Sequence, residues 1–256
     1  MTKNLYIIGY GINIDTQISI RSQEYIDKSD LVFALEVNSA HLSKFVSPKK
    51  VINLFDLYKQ GVDRSEVYNK VSDKILDSFC NSESICLMVE GSPYFLDSIV
   101  EIIESKCALH NIDIHITQGS SSLESIIYQL RIPIETVTLS TTTAENFCNT
   151  SSAIGENSVV ILFQPANALS NIVNINCDYK EGIELLLNKI KSKFNSTDKW
   201  MLVNLGNSDD NSTQIIWNTV DKLEQFSDYF HSGTLVLSNN WVPKFIDINE
   251  PTKIEV

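Results

Sequence analysis

The chain has 256 residues, 43% of them hydrophobic, with 20 Lys and Arg against 32 Asp and Glu, a formal charge of -12. That length and apolar content suit one large or two ordinary domains rather than a disordered chain, and the negative charge repels phosphate backbones and anionic headgroups, which argues against nucleic acid or a membrane surface as partner. No apolar run approaches the roughly 20 residues of a membrane helix, and MTKNLYIIGYG turns strand-like too soon for a signal peptide, so a cytoplasmic protein is expected.

In chain order, LYIIG (5–9) reads as a short strand ending in glycine, followed by LVFAL (31–35), KVINL (50–54), SICLMVE (84–90) and IDIHIT (112–117). Between them, 19–28, 64–79, 99–109 and 123–130 carry apolar residues three and four apart, as in Val67, Val71, Ile75 and Phe79, and predict amphipathic helices. Strands alternating with helices imply βαβ crossovers and a mainly parallel sheet, whose ligands sit outside the carboxyl ends of the strands. At RIPIET (131–136) the residue before Pro133 is pushed out of helical geometry and a new series of elements begins. We therefore expect an N-terminal α/β domain over 1–132 and a C-terminal α/β domain over 133–256. SVVILFQ (158–164), WMLVNLG (200–206) and GTLVLS (233–238) predict buried strands of the second, and EGIELLLNKIKSKF (181–194) predicts a helix with a basic last turn. The Asn- and Ser-rich stretches 149–157 and 206–213 read as loops. Cys80, Cys86, Cys107, Cys148 and Cys177 are scattered, as are His41, His110, His115 and His231, so free thiols and no metal site are expected.

Three loops stand at strand ends. GYGIN (9–13) places Gly9 and Gly11 where a backbone can turn sharply or approach a ligand, without the third glycine of a dinucleotide fingerprint. EGSPYF (90–95) is a rigid turn whose amides and Ser92 hydroxyl suit a polar ligand with Tyr94 and Phe95 on its flat parts, or is only a tight connection. In QGSSSLES (118–125), Ser121 or Ser122 caps a helix, faces the same ligand, or does both. Further along, DLYKQGVDRSEVY (56–68) sets Arg64 and Tyr68 four apart on one helix face with Tyr58 on the preceding loop. A guanidinium within about 4 to 6 Å favours phenolate; alternatively Arg64 pairs with Asp63 or Glu66 on a solvated helix start above packed tyrosines.

In their order and spacing, LYIIGYGI, QIS (17–19), SDLVFAL (29–35), EGSPYF, QGSSS and HSGTLVLS (231–238) resemble the tetrapyrrole methylase superfamily, the corrin and porphyrin type of S-adenosylmethionine-dependent methyltransferase. The resemblance implies two α/β domains with the methyl donor in a cleft between them, S-adenosylhomocysteine as product, and a homodimer. It assigns donor contacts to Gly9, Gly11, Glu90, Ser92, Pro93, Phe95, Ser121, Gln164, Ala166, Leu205 and Thr234. Within the superfamily, LYKQGVDRSEVYNKVSDKIL (57–76) is similar to the Leu-Tyr, Arg-x-x-x-Tyr and Ile-Leu pattern of the borosin branch, which methylates backbone amide nitrogens of a peptide. It implies Tyr58, Arg64, Tyr68 and Glu90 as catalytic residues: Tyr68 with Arg64 to accept the amide proton, Tyr58 to hydrogen-bond the carbonyl oxygen, and Glu90 to steady the donor's sulfonium or to act as base. The chain ends at PTKIEV without an appended substrate segment, so a separate precursor peptide is the expected partner.

Three departures stand out. Glu90-Gly91-Ser92-Pro93-Tyr94 replaces the branch's Tyr-Gly-His-Pro-Gly, Gln118 to Ser122 replaces Pro-Gly-Ile-Ser-Ala, and LGN (205–207) lacks an acidic residue. Two other functions stay open. Carbon methylation of a tetrapyrrole precursor is favoured by a Gly-Ser-Pro similar to the corrin enzymes' Gly-Asp-Pro and opposed by the chain's charge; a catalytically silent member would bind a peptide or a partner enzyme.

Overall fold

The computed structural model describes residues 3–35, 39–47, 50–151, 153–169, 171–173, 179–206, 212–246 and 253–255; Cys177 and positions 207–211 of the expected second loop lie outside them. Two units are present. The first holds the chain to Glu124 together with Ile172 and Val173, and the second holds the remaining described residues.

The first unit runs β1 (Lys3–Gly9), α1 (Ile14–Gln17), α2 (Ile20–Lys28), β2 (Leu31–Ala34), α3 (Ser39–Leu42), β3 (Val51–Asn53), α4 (Arg64–Asp77), β4 (Ser84–Val89), α5 (Ser98–His110), β5 (Ile112–Thr117) and the start of α6 (Ser122–Leu130). The five strands pair in the order β3-β2-β4-β1-β5, all in parallel. Successive side chains of a strand point to opposite faces, and both faces here are covered. Leu5, Ile7, Phe33, Ile85 and Leu87 pack with Val67, Val71, Ile75 and Ile103 of α4 and α5. On the other face Ile8, Val32, Ala34, Cys86 and Met88 pack with Ile14, Ile26 and Leu42. Two-sided burial is why the strands read as unbroken apolar runs rather than as alternation. The helices begin where caps allow: Ser19, Asp63 and Asp97 accept the backbone N–H of Ser22, Ser65 and Ile99 at 3.0, 2.8 and 2.9 Å.

The second unit contains β6 (Thr138–Thr143), α7 (Ala144–Asn149), β7 (Ser158–Phe163), α8 (Lys180–Lys193), β8 (Lys199–Asn204), β9 (Gln214–Thr219), a long 3-10 helix over Val220–Ser232, β10 (Thr234–Ser238) and β11 (Lys253–Glu255). Its sheet has the order β11-β9-β8-β10-β7-β6, with β6 and β7 parallel and the other pairings antiparallel. Val160, Leu162, Trp200, Leu202, Leu235 and Leu237 form its core with Phe147, Leu186, Ile190 and Phe230. Trp200 is fully buried because its indole N–H finds the Thr219 carbonyl at 2.8 Å while its ring meets Phe226 at 5.1 Å. Both units are α/β, as expected. The sequence reading named β7, β8, β10 and α8 but not β6, α7, β9 or the 3-10 helix. β6, TLSTTT, is an edge strand with a largely exposed, hydroxyl-rich face, so it shows no apolar period; its threonines favour a strand through β-branching alone. Among the described residues no helix is long and apolar enough to cross a membrane.

Candidate active site

The loops after β1, β4 and β5 meet at the carboxyl edge of the parallel sheet. β1 lies between β4 and β5, and pairing continues beyond the strands: the Tyr10 N–H donates to the Val89 carbonyl at 3.1 Å, Gly11 to Gly91 at 3.3 Å, and Gly91 back to Gly11 at 3.0 Å. The backbones then come too close for side chains. A Cβ on Gly9 would stand 2.5 Å from the Gly119 nitrogen, 2.6 Å from the Gly91 oxygen and 2.8 Å from Pro93 Cδ. One on Gly119 would overlap the Gly91 oxygen and stand 2.6 Å from the Gly9 carbonyl carbon. Gly9 and Gly119, with the φ +74° residue Gly91 opposite, therefore lock three loops together before they do anything for a ligand. The side chain of Gln17 completes the frame, its Oε1 accepting the N–H groups of Ile12 and Asn13 at 2.6 and 3.1 Å. Gly91 also faces clear space, with nothing nearer than 3.9 Å to where its Cβ would be.

On this frame, Glu90 is exposed, Pro93 is buried, and Ser92 and Phe95 are half-buried, the turn closed by the Phe95 N–H on the Ser92 carbonyl at 2.9 Å. Tyr94 is turned to α5 instead of offering a stacking face. Its hydroxyl donates to Glu104 at 2.6 Å, and that carboxylate pushes the phenol up to about 12. Ser121 is the cap of α6: Glu124 N–H donates to its Oγ at 3.2 Å, while the Glu124 carboxylate accepts the Ser121 N–H at 2.8 Å, a reciprocal capping box.

The tyrosine cluster stands on the same unit. Tyr58 follows the 3-10 turn Phe55–Leu57 after β3, and Tyr68 lies one turn into α4, their ring centroids 6.5 Å apart; Phe55 stacks on Tyr58 at 6.3 Å. The loop between Tyr58 and Arg64 is pinned by a distant piece of chain. Gly61 donates to the Val173 carbonyl and Val173 to the Val62 carbonyl, both at 2.8 Å, with Val173 buried in the core. Arg64 makes no ion pair among the described residues: Asp63 caps the helix through Ser65, and Glu66 is taken by Lys70 at 2.5 Å. The expectation that Arg64 pairs with either is thus replaced by one in which its charge acts on the phenols.

That charge does not win. Burial pushes Tyr58 well up, with Tyr68 and Asp97 adding to the rise and Arg64 opposing it; burial likewise raises Tyr68 against the pull of Arg64. Both phenols are therefore neutral at physiological pH, which corrects the expectation of an Arg64-lowered Tyr68. Asp97 is the residue that the sequence reading missed. Its carboxyl is raised by burial, lowered in part by the Ile99 and Val100 N–H groups, and felt by both tyrosines. Its one signal in the sequence is a capping position ahead of SIVEIIESKCALH.

In the second unit, Gln164 follows β7 at φ +53° and is exposed, Ala166 is buried in the 3-10 turn Pro165–Asn167, Leu205 lies just past β8, and Thr234 opens β10 opposite Val203. β7 and β8 both run antiparallel to β10, so these four residues share one edge of that sheet.

Residues 4–187 match the family described as Tetrapyrrole (Corrin/Porphyrin) Methylases. A stretch of 137 residues, 53% of the chain, is 23% identical to YabN of Bacillus subtilis (strain 168), described as uncharacterized; it spans only 28% of that longer protein. Solved structures share the fold. One is a protein of Corynebacterium diphtheriae described as related to cobalamin synthesis (CobF), with a TM-score of 0.61 and 15% identity over 93% of this chain and 99% of that one. Another is the uroporphyrin-III-C-methyltransferase of Thermus thermophilus, with a TM-score of 0.61 and 10% identity over 93% of each chain. A third is the cobalt precorrin-4 methyltransferase CbiF, with a TM-score of 0.60 and 15% identity over 92% of this chain and 94% of that one.

Proposed function

We propose, for a chain that belongs to the tetrapyrrole (corrin/porphyrin) methylases and is an S-adenosylmethionine-dependent methyltransferase, that its substrate is a separate precursor peptide methylated on backbone amide nitrogens. The observation that carries this reading is the cluster of Tyr58, Arg64, Tyr68 and Asp97, two half-buried phenols beside a guanidinium without an ion-pair partner among the described residues and a carboxylate. When bound, S-adenosylmethionine supplies a methyl group on a sulfonium and leaves as S-adenosylhomocysteine. The residues at the loop junction fit such a donor: Gly91 leaves its face clear, and the exposed Glu90 carboxylate beside it suits a cation.

An amide nitrogen is a poor nucleophile because its lone pair is delocalised into the carbonyl. Tyr58, held neutral by burial, donates a hydrogen bond to the carbonyl oxygen as that oxygen gains negative charge. Tyr68 takes the amide proton while passing its own hydroxyl proton to Asp97, whose carboxylate is more basic than an ordinary one. Arg64 offsets the negative charge on the oxygen and the phenol during the transfer. Glu90 belongs to the loop junction, which favours its role toward the donor over a role as base.

The rim of the cluster suits an apolar peptide. Phe55 and Leu96 beside it are 40% and 48% exposed. A second reading, carbon methylation of a tetrapyrrole precursor, is favoured by the Gly91-Ser92-Pro93 turn and by the substrate in the name of the Thermus thermophilus neighbour. Asp56, Asp63, Glu90 and Asp97 outnumber Lys59 and Arg64 in the segments of this edge, a balance that opposes a substrate carrying several carboxylates. A single assay separates the two: the protein with S-adenosylmethionine is offered a library of Val-, Ile- and Leu-rich peptides and, separately, uroporphyrinogen III. Fragment spectra placing the methyl on backbone nitrogen, with Tyr68→Phe slowing single-turnover transfer by at least about 100-fold, are expected. Methyl groups appearing only on the pigment, or undiminished transfer by Tyr68→Phe, would remove the peptide mechanism.

A further inference from the structure

The second unit contains a cavity of about 280 Å³ along its edge strand, made without any of the candidate donor or catalytic residues. Thr138, Ser140 and Thr142 alternate along one face of β6, and the parallel register sets Ser158 and Val160 of β7 beside the first two. Opposite stand Asn146 and Phe147 of α7, the 153–155 loop and the last turn of α8 with Lys193. The charge of this lining is unlike that of the molecule. In a chain of net charge -12, the described residues that line the cavity include one cation, Lys193, and no carboxylate. The Lys193 ammonium is held at the rim by donating to the Ser151 carbonyl at 3.2 Å, which aims a positive charge at the loop that closes the space.

The wall offers a hydroxyl as well. Ser158 lines the cavity, and its hydroxyl makes no hydrogen bond among the described residues, while its backbone N–H donates to Asn239 at 3.0 Å. A hydroxyl that opens on the cavity without a protein partner can donate to a ligand oxygen placed there. Gly155 stands beside it, where a Cβ would lie 3.6 Å from Ser158 Oγ, in ordinary contact. Phe147, Ile154 and Val160 supply an apolar side to the same space. Hydroxyl donors, one fixed cation, no negative group among the described residues and an apolar wall together select a small organic anion with a hydrophobic body.

We infer that the second unit has a ligand site of its own, formed by β6, α7 and the end of α8, which takes a small organic anion, a carboxylate or a phosphate monoester, with its charged end on Lys193 and Ser158 and its apolar part on Phe147 and Ile154. The probes are benzoate, phenyl phosphate and the uncharged benzyl alcohol, followed by calorimetry and by amide shifts in nuclear magnetic resonance spectra of the whole protein. Saturable binding of benzoate or phenyl phosphate in the millimolar range or tighter is expected, with shifts confined to the cavity. Whichever anion binds more tightly identifies the head group. Benzyl alcohol and the variant Lys193→Gln should each lower the affinity by about tenfold, the size of one charge-assisted contact, and Lys193→Gln should leave S-adenosylmethionine binding unchanged. Ser158→Ala should weaken anion binding less. Equal binding of benzyl alcohol, undiminished binding by Lys193→Gln, or no saturable binding of either anion would overturn the site.

Discussion

The two units treat their sheet edges differently. In the first, five parallel strands end on one side, and the return loops after β1, β4 and β5 are held backbone to backbone at Gly9, Gly91 and Gly119, which leaves no slack between them. In the second, a mixed sheet brings strand ends and strand starts together, and its edge strand is lined by hydroxyls around an open space. Position in the first unit comes from removing side chains, and capacity in the second comes from side chains that do not meet. Glycine substitutions sharpen the contrast most. Gly119→Ala forces a methyl group against three pieces of backbone that cannot yield cheaply and should lower stability by about 3 kcal/mol. Gly155→Ala meets nothing closer than the Ser158 hydroxyl at 3.6 Å and should stay within about 0.5 kcal/mol of wild type. Urea unfolding of the two variants checks the pair; equal midpoints would mean that the loops are not locked as described.

The same contrast decides what was legible in the sequence. The first unit's strands, helices and three loops could be read because two-sided burial leaves unbroken apolar runs and because turns at strand ends need glycine or proline. The close approach of Gly9 to Gly119, 110 positions away, could not be read, since no local pattern records which backbones will touch. Helical spacing puts Arg64 and Tyr68 on one face with Tyr58 on the loop before them, yet it misjudges the direction of the phenol's titration, because burial depends on packing that the spacing does not contain. Asp97 was hidden by its local role as a cap. In the second unit, β6 has no apolar period to read, and its hydroxyls look like loop composition until the register with β7 places them on one wall.

Asp97 offers the next largest effect, and it tests the proton path proposed for peptide methylation. Burial raises its carboxyl, so the folded protein holds that proton more tightly than the unfolded chain does. The sign follows: the group's unfavourable contribution is full above its folded value and is relieved as pH falls through that value toward the ordinary one near 4. Catalysis runs the other way, because a base must be ionised, and methyl transfer should decline on acidification through the raised Asp97 value. Asparagine caps a helix about as well as aspartate, so Asp97→Asn should fold normally while transfer falls by about 100-fold and the acid limb of the profile disappears. An Asp97→Asn enzyme that keeps both the rate and the acid limb would confine Asp97 to capping and leave Tyr68 without its acceptor.

The smallest effects compare two serines of nearly equal burial, Ser121 at 6% and Ser158 at 2% exposure. Ser121 exchanges hydrogen bonds with Glu124 at both backbone and side chain, so Ser121→Ala removes a capping box and should cost about 1 kcal/mol. Ser158 has an unpaired hydroxyl, so Ser158→Ala removes a group that gains nothing in the folded state and should change stability by less than about 0.5 kcal/mol, in either direction. Burial alone would predict the same loss for both, and differential unfolding of the two variants in ligand-free buffer separates burial from pairing. If Ser158→Ala is as destabilising as Ser121→Ala, the hydroxyl already has a partner, and the cavity loses one of its contacts for an anion. If only Ser121→Ala is destabilising, the first unit's edge is held by bonds already made, while the second unit's edge carries a donor that has yet to meet its partner.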